Sequence, residues 1–123
     1  MPKRVLTVGH CDLDHEALCR LLDSCGAVEV ASADRIADAV GAVRDGSYDL
    51  VLINRVFEFS GESGIELIRK LRADPAGRDS VLMLVSNLEA AQQEAVAAGA
   101  VRGFGKAELD SPQTRAALAR YLN

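Results

Sequence analysis

Short apolar runs alternate with amphipathic stretches from one end of the chain to the other, five of each. Residues 5–8, 28–31, 50–53, 81–85 and 101–104 are rich in β-branched and large apolar side chains and are predicted as strands. Between them the apolar spacing is close to 3.6: Leu18, Leu21, Leu22 and Cys25 in the first gap, Ile36, Val40 and Val43 in the second, Ile65, Ile68 and Leu71 in the third. An alanine-rich helix over 88–98 and a last one with Leu118, Tyr121 and Leu122 on its buried stripe complete the set. Asp12, Ser32, Ser60 and Ser111 are the predicted N-caps, the last followed by Pro112 at the favoured first helical position. Gly26, Gly46 and Gly99 are placed for left-handed C-caps.

Alternating strands and helices build a parallel sheet covered on both faces. A strand flanked by neighbours and covered on both sides reads as continuous apolar sequence, as the first, third and fourth do. The second is interrupted by Glu29 and the fifth by Arg102 and Gly103, which makes these two the edges. Right-handed crossovers with one reversal of winding then give the order 2-1-3-4-5, an α/β, flavodoxin-like, doubly wound three-layer sandwich occupying residues 1–123 as one domain.

Composition narrows the function classes. The 123 residues hold 18 acidic and 14 basic side chains, a net charge of −4, so the chain lacks the electrostatic footprint of a nucleic-acid binder. Cys11, Cys19 and Cys25 are odd in number and lack CxxC spacing, which points to reduced thiols and a cytoplasmic protein. No apolar run reaches the roughly 20 residues that span a bilayer. His10, Cys11, Asp12, Asp14 and His15 are dense in metal-ligand types, but helix capping by Asp12, dipole complementation by Asp14 and a solvated His15 are the simpler reading, with no metal or cofactor expected.

In such a sheet the functional crevice lies beyond the carboxyl ends of the strands, at the switch between the first and third. That places Gly9, His10 and Cys11, then Asn54, then Val85 and Ser86, then Lys106 around one opening. With KRVLTV at 3–8, YDLVLIN at 48–54, GIELIRKLR at 64–72, VLMLVS at 81–86 and AAGAVRGFGK at 97–106, the chain resembles, over essentially its full length, the receiver domains of two-component response regulators. The resemblance implies a phosphoryl-accepting aspartate at Asn54, an acidic pair that holds Mg²⁺ at Gly9 and His10, a lysine at Lys106, a switch hydroxyl at Ser86 or Val85, and a switch aromatic at Gly103, with Phe104 one place later.

None of the first three positions carries a carboxylate. An amide is not a competent oxygen nucleophile at neutral pH, and a hard cation prefers anionic oxygen. The expectation is a degenerate, non-enzymatic receiver that signals by binding protein partners, a histidine kinase or a regulator among them, or by pairing with itself, without phosphoryl control. The resemblance implies a partner face that includes Arg102, Phe104, Arg115 and Tyr121. Asn54 is expected either to bond to Lys106 or Ser86 or simply to cap a buried strand end. The lengthened loop over 54–64 carries Phe57 and Phe59, either as partner anchors or folded back over the crevice. Two alternatives stay open: phosphorylation at another residue, Asp12 being the nearest acid, and a small anion held by Lys106, Asn54 and His10.

Overall fold

Every residue of Leu50–Asn54 is buried, so this strand has to be central, with neighbours on both edges and helices on both faces. A computed structural model, describing residues 2–122, shows how the rest is arranged around it. The elements are β1 (Lys3–Val8), α1 (Asp12–Cys25), β2 (Val28–Ala33), α2 (Ile36–Asp45), β3 (Leu50–Asn54), α3 (Gly64–Ala73), β4 (Val81–Val85), α4 (Glu89–Ala98), β5 (Val101–Phe104) and α5 (Pro112–Leu122), with short 3₁₀ turns at Pro75–Gly77 and Lys106–Glu108. All strand pairs are parallel and the order is β2-β1-β3-β4-β5, as the apolar pattern predicts. β1 starts two residues earlier than expected and β2 ends two later, because the two pair in register from Lys3 with Val28 to Val8 with Ala33.

Side chains alternate between two cores. Val5, Leu50, Leu52, Met83, Val85 and Phe104 face α1 and α5, whereas Leu6, Val8, Val51, Ile53, Leu82 and Leu84 face α2, α3 and α4.

Several predicted caps sit elsewhere. Ser111 does cap α5, its hydroxyl accepting from the Thr114 amide at 3.1 Å. Asp12 is instead the first helical residue of α1, and the cap is Cys11, whose sulfur accepts from Asp14 N. Ser32 stays in the extended β2 and Arg35 precedes α2; Ser60 accepts from Glu62 N inside the loop, and Ser63 caps α3 through Glu66 N. Of the C-caps, Gly99 is left-handed, Gly46 is extended and Gly26 has a positive φ outside the helical well.

Arg72 ties the amino-end loops together. Its Nε donates to Gly99 O at 2.7 Å, and its Nη1 to Gly77 O at 3.1 Å and Arg78 O at 3.0 Å. Charge-assisted bonds to backbone carbonyls each contribute more than neutral ones. Arg72→Met is therefore expected to lower unfolding free energy by about 2 kcal/mol or more in urea titration, whereas Lys70→Met on the exposed side of the same helix should stay within about 0.5 kcal/mol.

Candidate functional site

The crevice is built around the end of β1. Gly9 turns with φ +78°, and a Cβ placed on it would collide with the edge of the Phe57 ring, at 2.5 Å from Cγ. Phe57 is 1% exposed and occupies the space that a side chain at residue 9 would need. Its loop is pinned from both sides: Phe57 N donates to Glu62 O at 2.8 Å, and Glu58 N donates to Gly9 O at 2.9 Å. The two loop phenylalanines thus part company, Phe57 folded back over the crevice and Phe59 62% exposed.

Asn54 does not reach Lys106 or Ser86 through any hydrogen bond. Its Nδ2 donates to Gly9 O at 2.9 Å and Val56 O at 2.8 Å, and its Oδ1 accepts from Arg55 N at 3.0 Å. Carbonyl oxygens only accept, so the atom facing them must be the amide nitrogen. An aspartate here would set a carboxylate oxygen against two carbonyls. The amide is required by its surroundings.

His10 is 5% exposed, and its Nε2 donates to Leu52 O at 3.1 Å while Nδ1 has no partner. Burial is the main cause that pulls its pKa down to about 4, with Lys106 pushing the same way and the Leu52 bond opposing. At neutral pH it is an uncharged imidazole. Lys106 pairs with Asp14, Nζ to Oδ2 at 2.6 Å, so it is opposed by a carboxylate supplied by α1 and not by the strand end. That hydrogen bond is also the chief reason the Asp14 carboxyl sits below the ordinary range. The anion-binding alternative would have to take Lys106 from this partner. Asp12, the acid considered for non-standard phosphorylation, is exposed at the helix start.

His15 is not simply solvated, as expected, but lies between two partners. Its Nδ1 is 2.9 Å from Thr7 Oγ1 and its Nε2 is 3.5 Å from Cys19 Sγ. Among the described residues no three ligand-type side chains converge on a metal position.

At the far side of the crevice, β3–β4 pairing sets Asn54 against Val85, and Ser86 follows, its hydroxyl accepting from Leu88 N at 3.1 Å. The position expected for a switch aromatic is closed. Gly103 lies so close to the Leu84 carbonyl, at a register shift in β4–β5 pairing, that a Cβ would collide with it. Gln92, which sequence reasoning missed, wires this region: Nε2 donates to Leu84 O at 2.9 Å and Ser86 O at 3.0 Å, and Oε1 accepts from Gly103 N at 3.0 Å. The available signal was a glutamine on the inward stripe of an alanine-rich helix, where a polar side chain must find partners.

The expected partner face divides. Arg102 is exposed, pairs with Glu89 and borders a groove of about 330 Å³ with Gln113 and Ala117. Phe104 is 4% exposed in the α1–α5 core, so its ring is no surface contact. Arg115 lines the α1–α5 groove with Ala17 and Arg20, and Tyr121 lies at the amino end of the sheet beside Val81. Arg115 and Tyr121 are separated by about 1.7 turns of α5, so their side chains leave the helix in different directions.

Two measurements check this site. Asn54→Asp is expected to lower stability by about 2 kcal/mol or more at pH 7, with part recovered on acidification as the new carboxyl is protonated; a neutral or stabilising effect in urea titration would refute the carbonyl cage. His10 is deprotonated when folded and ordinary when unfolded, so stability is full above pH 6.5 and declines toward pH 4, by at most about 3 kcal/mol. His10→Gln, which keeps a donor for Leu52 O, should flatten that limb, and an unchanged slope would show that other groups cause it.

No protein-family model matches the sequence, and no curated protein matches it. Solved structures do. A protein described as a response regulator of Chloroflexus aurantiacus superposes with a TM-score of 0.84 at 20% identity, covering 99% of this chain and 98% of that one. The Vibrio cholerae chemotaxis protein CheY4 gives 0.79 at 17% over the full length of both chains. The receiver domain of a Pseudomonas aeruginosa sensor histidine kinase, with magnesium in its active-site cleft, gives 0.74 at 22%, covering 99% of this chain and 95% of that domain. The five parallel strands in the order 2-1-3-4-5, with a helix after each, are the receiver-domain fold.

Proposed function

We propose that this chain is a degenerate receiver domain, a non-enzymatic module of two-component-type signalling that acts by protein–protein association without accepting a phosphoryl group. The observation that carries this reading is how the crevice is filled: the Phe57 ring occupies the side-chain space of Gly9, and the Asn54 amide is spent on the carbonyls of Gly9 and Val56. Structural neighbours with receiver folds supply the class, and one of them holds magnesium in its cleft.

The residues do not fit that metal here. A hard cation needs anionic oxygens, and the three crevice positions offer a glycine whose neighbouring space is apolar, a neutral imidazole bonded to Leu52 O, and an amide turned nitrogen-first toward carbonyls. No step through Mg²⁺ follows from these groups. Asp14 is a carboxylate, but it is engaged by Lys106.

Association then has to use surface that exists without a switch. The Gln92 bonds hold α4, the end of β4 and β5 in one arrangement, so the α4–β5–α5 face with Arg102 and Gln113 is presented constitutively to a protein partner, a histidine kinase or a regulator being the class that the fold suggests. Among the described residues no helix is long and apolar enough to cross a membrane.

Incubation with acetyl phosphate and Mg²⁺ is expected to leave the intact mass unchanged, for the wild type and for Asn54→Asp alike. A stable adduct of about 80 Da on either protein, dependent on Mg²⁺, would overturn the phosphorylation-independent reading, and mapping it to Asp12 would replace it with the non-standard acceptor.

A further inference from the structure

Residues with metal-ligand side chains recur at every fourth position from the cap of α1: Cys11, His15, Cys19 and Asp23. Residues four apart on a helix are neighbours on its surface. Cys11 is spent on the cap and Asp23 is exposed toward the far end, but the middle two meet, His15 Nε2 lying 3.5 Å from Cys19 Sγ. Both are partly exposed, so the pair is within reach of solvent. Among the described residues no third ligand-type side chain joins them.

The imidazole is held from behind. Its Nδ1 is 2.9 Å from the hydroxyl of Thr7, a buried residue of β1, and that hydroxyl is 3.5 Å from Ala31 O on β2. One consistent chain of donors runs inward: the Cys19 thiol to Nε2, Nδ1–H to Thr7 Oγ1, and Thr7 O–H to Ala31 O. A hydroxyl can play both parts because it donates once and accepts twice. In this chain the Nε2 lone pair faces the sulfur, which is how a histidine ligates a metal through one nitrogen while a fixed partner holds the other.

The separation suits a bridging ion as well as a thiol proton. Tetrahedral Zn²⁺, with bonds of about 2.3 Å to sulfur and about 2.0 to 2.1 Å to nitrogen, spaces those two atoms about 3.5 to 3.6 Å apart. A linear two-coordinate ion would hold them apart by the full sum of its two bonds, beyond the distance seen. The surroundings also favour a cation. Burial first, and then the charges of Asp23 and Glu16, raise the Cys19 thiol above its ordinary range, and the same carboxylates stabilise a dication that takes the proton's place.

We infer that His15 and Cys19 form a two-residue chelate for Zn²⁺ between α1 and the β1–β2 edge of the sheet, with Thr7 as its positioning residue and water in the two remaining positions. On binding, the Cys19 S–H bond breaks, the sulfur and Nε2 each give an electron pair to the metal, and one proton passes to solvent per ion bound. The site uses none of Gly9, His10, Asn54 or Lys106 and does not rest on the phosphorylation-independent reading.

The test is titration of the reduced full chain at neutral pH with Zn²⁺, and with Co²⁺ as a coloured substitute. Expected are one ion per chain and a dissociation constant on the order of 1 to 100 μM, weak because two protein ligands stand where a structural site has four. With Co²⁺ a sulfur-to-metal charge-transfer band should appear together with the intense visible bands of tetrahedral coordination. Cys19→Ala and His15→Gln should each weaken binding at least about tenfold, and Cys19→Ala should also abolish the charge-transfer band. Thr7→Val should keep that band while binding about tenfold more weakly. Cys25→Ala, which removes a thiol outside the pair, should change nothing, and excess Mg²⁺ should not compete. No saturable uptake at about 1 mM Zn²⁺ would overturn the proposal and leave a plain thiol–imidazole hydrogen bond. So would a charge-transfer band that survives Cys19→Ala, an affinity indifferent to His15→Gln, or one ion shared between two chains.

Discussion

The carbonyl of Gly9 is the point on which the crevice depends. It accepts from Asn54 Nδ2 and from Glu58 N, both at 2.9 Å, so one oxygen joins the ends of β1 and β3 to the loop between β3 and α3. The positive φ of Gly9 aims that oxygen, and the missing side chain leaves room for Phe57. Glycine, asparagine and phenylalanine form a mutually dependent set. Together they are self-consistent, because every polar atom of the Asn54 side chain is paired and the space beside Gly9 is packed by Phe57.

The same logic extends across the sheet. A mobile switch needs a side chain with two stable positions and a volume to move through. Gly103 has no side chain and abuts the Leu84 carbonyl, while Gln92 uses both ends of its amide on neighbouring strands. Buried polar networks that are fully satisfied favour one arrangement. At the end of β4 the structure therefore shows static contacts, Gly103 against the Leu84 carbonyl and Gln92 bonded to both neighbouring strands.

Much of this was legible in residue order. Continuous apolar runs identified β1, β3 and β4 as interior strands, and Glu29 and Arg102 marked the edges, because burial on two faces leaves no place for a charge. The positions of Gly9, His10, Asn54 and Lys106 around one opening followed from the winding rule alone. Less legible were partners set by side-chain reach: the ion pair of Lys106 with Asp14, the bonds of His15 to Thr7 and Cys19, and the path of Gln92. Cap positions slipped by one to three residues, from Asp12 to Cys11, Ser32 to Arg35 and Ser60 to Ser63, because backbone geometry decides where each helix begins.

By itself the sequence determined the class of fold, the strand order and the absence of carboxylates at Gly9, His10 and Asn54, because these depend on periodicity, burial and residue type. Only the tertiary structure decided what fills the crevice instead and where the acidity lies. Phe57 turns inward and Phe59 outward from one loop, and ten of the eighteen acids gather at the carboxyl end of the sheet, because those outcomes depend on which atoms the parallel strands and the helix starts bring together across the chain.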